Sequence, residues 1–172
     1  MNFGIIVFNQ VEELDFVGPW EMLRRWSKVA EGPECCLIVS LSLEPITCAN
    51  GLSINPHVSF DNCPQLDYML VPGGQGTRQE VENRVLLKFV ATQAKNCQAV
   101  LSVCTGSFLL HAAGLLSGKK ATTHWGSLDR LRALGDVTVV AVFRCLLFHI
   151  PDKMGLQGER SWINCLGSYW MR

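Results

Sequence analysis

Short apolar runs alternate with amphipathic stretches along the chain, and each run predicts an element. Residues 2–8 read Asn-Phe-Gly-Ile-Ile-Val-Phe, nearly continuous apolar character that fits a strand covered on both faces. A loop over 9–18 follows, and Pro19 suits the first position of a helix carried by 20–28. Residues 36–42 form the second strand. Residues 45–49 and 52–55 flank Asn50-Gly51, a strong hairpin signal, and 56–65 reads as loop. The strand at 67–71 ends in Pro72-Gly73-Gly74-Gln75-Gly76. Asn83 suits a helix cap, with Leu86, Phe89, Val90 and Ala94 on one helical face. The apolar residues 99–103 run into Cys104, after which Phe108, Leu109, Ala112, Ala113 and Leu116 recur at helical spacing. Leu128, Leu131 and Leu134 mark a short helix stopped by Gly135, and 137–143 is strand-like. Strands alternating with helices predict an α/β sandwich with a largely parallel sheet.

In such a sheet, sites lie beyond the carboxyl ends of the strands. Three segments then converge: the loop carrying Asp15, the glycines after Val71, and Cys104. Cys104 sits where a strand turns straight into a helix, a nucleophile-elbow arrangement that lifts a side chain above the sheet. The amides of the following turn favour a thiolate and developing negative charge. The competing reading is a buried core cysteine. Asp15 lies between Leu14 and Phe16, an apolar setting that raises a carboxyl pKa and keeps it protonated, ready to donate. Its alternative is a capping aspartate ahead of Gly18-Pro19. Gly73-Gly74 also fits a plain strand-end turn, and it is neither GxGxxG nor a Walker sequence, so nucleotide binding gains little support. Glu21 reads as a first-turn helix acid and His111 as a packing residue. His57 and His149 have no identifiable partners, and Trp20, Trp26 and Trp125 read as core or interface.

Composition narrows the classes. At 172 residues with zero formal charge and 48% hydrophobic content, the chain fits one folded domain. It carries no basic footprint for nucleic acid. No apolar run reaches the roughly 18 residues of a membrane span, and the N-terminus lacks a signal peptide's basic region. The eight cysteines include no CxxC pair and no zinc spacing, so a structural metal is not expected, and no motif calls for a cofactor. Without a secretory signal they suggest a reducing cytoplasm rather than a disulfide framework.

Four phrases carry a family resemblance: Leu-Asp-Phe-Val-Gly-Pro-Trp-Glu (14–21), Leu-Val-Pro-Gly-Gly-Gln-Gly (70–76), Ser-Val-Cys-Thr-Gly-Ser (102–107) and Ala-Ala-Gly-Leu-Leu-Ser-Gly-Lys-Lys-Ala-Thr-Thr-His-Trp (112–125). Together they resemble the DJ-1/PfpI superfamily over about residues 3–140, and within it the isonitrile hydratase branch and the amidase-like sensor domains of AraC-type regulators. The resemblance implies a flavodoxin-like three-layer sandwich, a homodimer and a small-molecule substrate. It makes Cys104 the nucleophile and Asp15 the acid beside the thiol. Thr105 follows the cysteine with its amide and hydroxyl facing the site, and the amides of Gly73 and Gly74 complete an oxyanion-type pocket. His124 matches a position common to the branch without a settled role. Thr105 replaces the histidine of PfpI-type proteases, which removes that reaction's base. The glutamate of glyoxalase-type members is also missing, unless Glu12 or Glu21 serves. The implied activity is a cysteine-dependent hydro-lyase that turns an isonitrile and water into an N-substituted formamide. The alternative is a non-catalytic or degenerate ligand- or redox-sensing domain.

The resemblance stops near Ala141. The expected division is a DJ-1/PfpI-like domain over 1–140 and a divergent tail over 141–172, with the fold truncated or altered at its C-terminus. The tail has no clean period and matches none of the family's closing motifs. Its divergence bears on both activity and dimerisation.

Overall fold

A computed structural model describes residues 1–140 and the backbone of 146–149. In chain order the elements are β1 (Asn2–Ile6), α1 (Glu13–Val29), β2 (Cys35–Ser40), β3 (Ile46–Thr47), β4 (Ser53–Ile54), β5 (Val58–Ser59), β6 (Tyr68–Val71), α2 (Thr77–Glu80) and α3 (Arg84–Ala94). Then come β7 (Ala99–Val103), α4 (Gly106–Ala112), β8 (Lys120–Ala121), α5 (Leu128–Arg132), β9 (Thr138–Val139) and β10 (Leu146–His149). One six-stranded sheet has the order β10-β7-β6-β1-β2-β5. Every pairing in it is parallel except that of β10, which runs antiparallel to β7. With helices packed on its faces, this is the α/β sandwich that the alternating pattern predicts, of the flavodoxin-like kind that the resemblance implies.

Consecutive buried residues explain why the central strands read as unbroken apolar runs. Ile5, Ile6, Leu70 and Val71 are buried one after another, so both faces of β1 and β6 are covered. Helices α3 and α4 supply Leu86, Val90, Leu109 and Leu110 to the same core. Each such side chain contributes about 1.5–3 kcal/mol on burial. Asn83 caps α3 as its sequence position predicts, accepting from the amides of Val85 and Leu86 at 3.1 and 3.2 Å. The Asn50-Gly51 hairpin is formed by β3 and β4, with Gly51 at φ +95°.

Four elements depart from the sequence expectation. Helix α1 begins at Glu13 and holds Pro19 in its interior, rather than starting there. Proline removes one helical hydrogen bond, the one that would close on the carbonyl of Asp15, and the helix continues past it. Asp15 therefore stands in the first turn of α1 and Glu21 in its middle. Within 56–65, read as loop, β5 pairs with β2 and a 3-10 turn follows over Phe60–Asn62. The strand expected over 137–143 is present as β9, which pairs with β8 outside the main sheet; 141–143 lie outside the described residues. Strand β10 falls in the stretch that shows no period in sequence, yet it hydrogen-bonds to the strand leading to Cys104. The remainder of the 141–172 tail lies outside the described residues.

Candidate active site

The corner between β7 and α4 is built on close backbone approach. Cys104 adopts φ +53°, the left-handed region that costs a residue with a Cβ about 1–2 kcal/mol. Two residues on, a Cβ added to Gly106 would lie 2.1 Å from the carbonyl oxygen of Val71, so the start of α4 can press against the end of β6 only with glycine there. The Cys104 carbonyl accepts a hydrogen bond from Thr123 Oγ1 at 3.0 Å and a longer one from Ser107 Oγ at 3.4 Å.

The glycine turn after β6 is stitched to the segment ahead of α1. The Glu12 amide donates to the Gly73 carbonyl at 3.0 Å, and Val11 bridges Gly74. This brings the first turn of α1 over the turn, where Asp15 Oδ2 accepts from the Gly73 amide at 2.9 Å. Gly74, at φ +123°, donates its amide to Thr105 Oγ1 at 3.1 Å. The same hydroxyl oxygen lies 3.1 Å from Thr77 Oγ1 and 3.3 Å from the Gly74 carbonyl. The amides of Gly73 and Gly74, assigned by resemblance to a substrate pocket, both hold side chains of the protein, and the Thr105 hydroxyl faces the turn. Backbone crowding places the Thr105 amide beside them: a Cβ on Gly73 would lie 2.6 Å from Thr105 N and 2.9 Å from Asp15 Oδ2.

Asp15 is held in an unusual state. Burial pushes its carboxyl up to about 6, against the lowering effect of the Gly73 amide; the charge of Glu12 raises it further, and a hydrogen bond with the Cys104 side chain lowers it. At pH 7 the ionised form then outnumbers the acid by about ten to one. The group passes readily between the two forms instead of staying protonated, as the apolar flanks alone suggest. Burial pushes the thiols of Cys48 and Cys63 up to about 11 and that of Cys97 to about 12, which keeps these cysteines protonated and inert.

The remaining sequence candidates fall into place around this centre. His124 Nδ1 accepts from the Gly126 amide at 3.2 Å, and its ring lies 5.2 Å from that of Trp125, which is 78% exposed rather than part of the core. His111 is partly buried, and its Nε2 pairs with Asp136 at 2.8 Å. His57 accepts from the Ile38 amide at 2.9 Å and lies against Trp20. Thr123 and Thr77 escaped the sequence reading, because a buried threonine among other small residues gives no periodic signal. Among the described residues no group of three or more His, Cys, Asp or Glu side chains could hold a metal ion. No described helix is long and apolar enough to cross a membrane.

Comparison with known proteins bears on the family and the fold. The sequence profile of the DJ-1/PfpI family matches residues 2–142. Isonitrile hydratase of Pseudomonas putida is 41% identical over 139 residues, covering 81% of this chain and 59% of the hydratase. The HTH-type transcriptional regulator GbdR of Pseudomonas aeruginosa is 37% identical over 133 residues, covering 76% of this chain and 36% of the regulator. The chain thus spans less than two thirds of the length of either relative. The crystal structure of a ThiJ/PfpI family protein from Pseudomonas syringae superposes with a TM-score of 0.72 at 34% identity, over 81% of this chain and 57% of that one.

Proposed function

The chain belongs to the DJ-1/PfpI family, and from that premise we propose that it is a cysteine-dependent hydro-lyase of the isonitrile hydratase type. The observation that carries the proposal is the hydrogen bond between the side chains of Cys104 and Asp15. It pairs a nucleophile at a strained elbow with a carboxyl whose pKa of about 6 suits both proton donation and acceptance near neutrality. The 41% identity with isonitrile hydratase supports the substrate class.

The chemistry balances with these two groups and water. The Cys104 sulfur bonds to the terminal isonitrile carbon, and Asp15 delivers a proton to that carbon, giving a thioimidate. Water then adds to the same carbon; Asp15 takes one of its protons and the nitrogen gains one. The carbon–sulfur bond breaks, its electron pair returns to sulfur, and the N-substituted formamide leaves. The Thr105 amide is the backbone donor for the polar tetrahedral stage. Gly73 and Gly74 act indirectly, by holding Asp15 and Thr105 in place.

Following formamide release from a small alkyl isonitrile tests the reaction class. Its absence from folded protein would favour the second reading, a ligand-sensing domain, which the 37% identity with a transcriptional regulator supports.

A further inference from the structure

We propose that Thr123 is a positioning residue that fixes the Cys104–Thr105 peptide so that its N–H faces the reacting centre. The hydroxyl of Thr123 donates to the Cys104 carbonyl at 3.0 Å across a separation of 19 residues. Thr123 is 1% exposed, so this bond is made away from bulk water. In a trans peptide the carbonyl and the following N–H point in opposite directions, and no described peptide bond is cis. Fixing the Cys104 oxygen therefore fixes the direction of the Thr105 N–H. The other side of this peptide is the side of Gly73, where the space a Cβ would fill is bordered by Thr105 N, Thr105 Oγ1 and Asp15 Oδ2.

The peptide needs such a clamp. Cys104 is held at φ +53°, and rotation of the next peptide is a low-cost way for a strained corner to relax. That rotation would turn a carbonyl toward the site in place of an amide. The second contact on the same oxygen, Ser107 Oγ at 3.4 Å, is long and comes from within the first turn of α4, so it moves with the corner. Thr123 reaches the corner from the segment after β8 and anchors it from outside. The expected contribution is to the stage at which negative charge develops on the substrate, with little effect on the thiol itself.

The proposal rests on Cys104 as the attacking atom, and its test separates the clamp from the hydration reaction. Two probes of Cys104 differ in the charge they develop. With p-nitrophenyl acetate the sulfur bonds to the carbonyl carbon through an oxyanion, and p-nitrophenolate leaves with its electron pair. With iodoacetamide the sulfur displaces iodide and no oxyanion forms. Each rate is measured against a Cys104→Ala background, alongside formamide release from an alkyl isonitrile. Thr123→Val is expected to slow acylation about tenfold or more while alkylation stays within about twofold, and Thr123→Ser restores acylation. The proposal is overturned by unchanged acylation in Thr123→Val, by both rates falling together, by failure of Thr123→Ser to restore, or by a wild-type protein whose Cys104 is not acylated. Thr123→Ala serves where Thr123→Val does not fold; failure of both to fold overturns the proposal in favour of a purely structural role. The expected acylation pattern without formamide release would sink the lyase reading and leave the clamp standing.

Discussion

Asp15 and Cys104, one in the first turn of a helix and the other at the end of a strand on the far side of β6, share a hydrogen bond between their side chains. Neither partner reaches that position by its own element alone. Asp15 is set by the stitching of Val11 and Glu12 to the glycine turn, and Cys104 by a backbone conformation that few residues with a Cβ adopt.

The buried carboxyl makes stability depend on pH in a defined direction. The folded pKa of Asp15, about 6, lies above the ordinary carboxylate value of about 3.9. Its stabilising contribution is therefore fully present in acid, below the unfolded value, and is lost as pH rises through about 6. Above that, the ionised group is a burden on the fold. Asp15→Asn keeps an acceptor for the Gly73 amide and removes the charge. It is expected to raise stability at about pH 7.5 by about 1–2 kcal/mol, with the gain fading toward about pH 4. Denaturant unfolding at the two pH values measures this; a gain equal at both would contradict the burial of the carboxylate.

The same substitution separates stability from chemistry. Asp15→Asn can neither give nor take the protons of the hydration, so kcat should fall about 100-fold or more. In the wild-type protein kcat/KM should bend near pH 6, the value at which burial sets Asp15. A bend that persists unchanged in Asp15→Asn would assign it to another group.

Backbone strain at the corner gives a comparison of two inactive variants. Alanine at position 104 keeps the left-handed penalty, and glycine relieves it. Cys104→Gly should therefore be more stable than Cys104→Ala by about 1 kcal/mol. Thermal unfolding of the pair decides it, and an order reversed would mean that the corner relaxes once the thiol is gone.

Close packing at Gly73 predicts a loss of both fold and function. A Cβ there would meet Thr105 N at 2.6 Å and Asp15 Oδ2 at 2.9 Å, and the nearer atom is backbone that cannot rotate aside. Gly73→Ala should cost about 1–3 kcal/mol and lower turnover about tenfold or more. Turnover near the wild-type level would show that the glycine is needed for the turn alone.

The fold was legible because the central strands are buried on both faces, and such strands announce themselves as apolar runs in any order of reading. The start of α1 was not, because proline at its usual N-terminal position is a stronger local signal than the stitching of Glu12 to Gly73 that sets the true start. Strand β5 is two residues long and depends on β2 for its identity, so 56–65 carried only turn signals. Of the candidate site, Cys104, Asp15, Thr105, Gly73 and Gly74 could be singled out from the sequence, and the structure brings them together. What the sequence could not reveal is which groups hold which: the hydrogen-bonding of Gly73 to Asp15, of Gly74 to Thr105 and of Thr123 to Cys104 exists only between segments distant in the chain.

The most direct measurement is formamide formation from a small alkyl isonitrile by the purified chain beside its Cys104→Ala variant, followed by NMR. The account predicts steady turnover by the wild-type protein and none above the uncatalysed rate by an equally folded Cys104→Ala. Turnover that survives the loss of the thiol would contradict the assignment of Cys104, and a folded wild-type protein that makes no formamide would contradict the lyase itself.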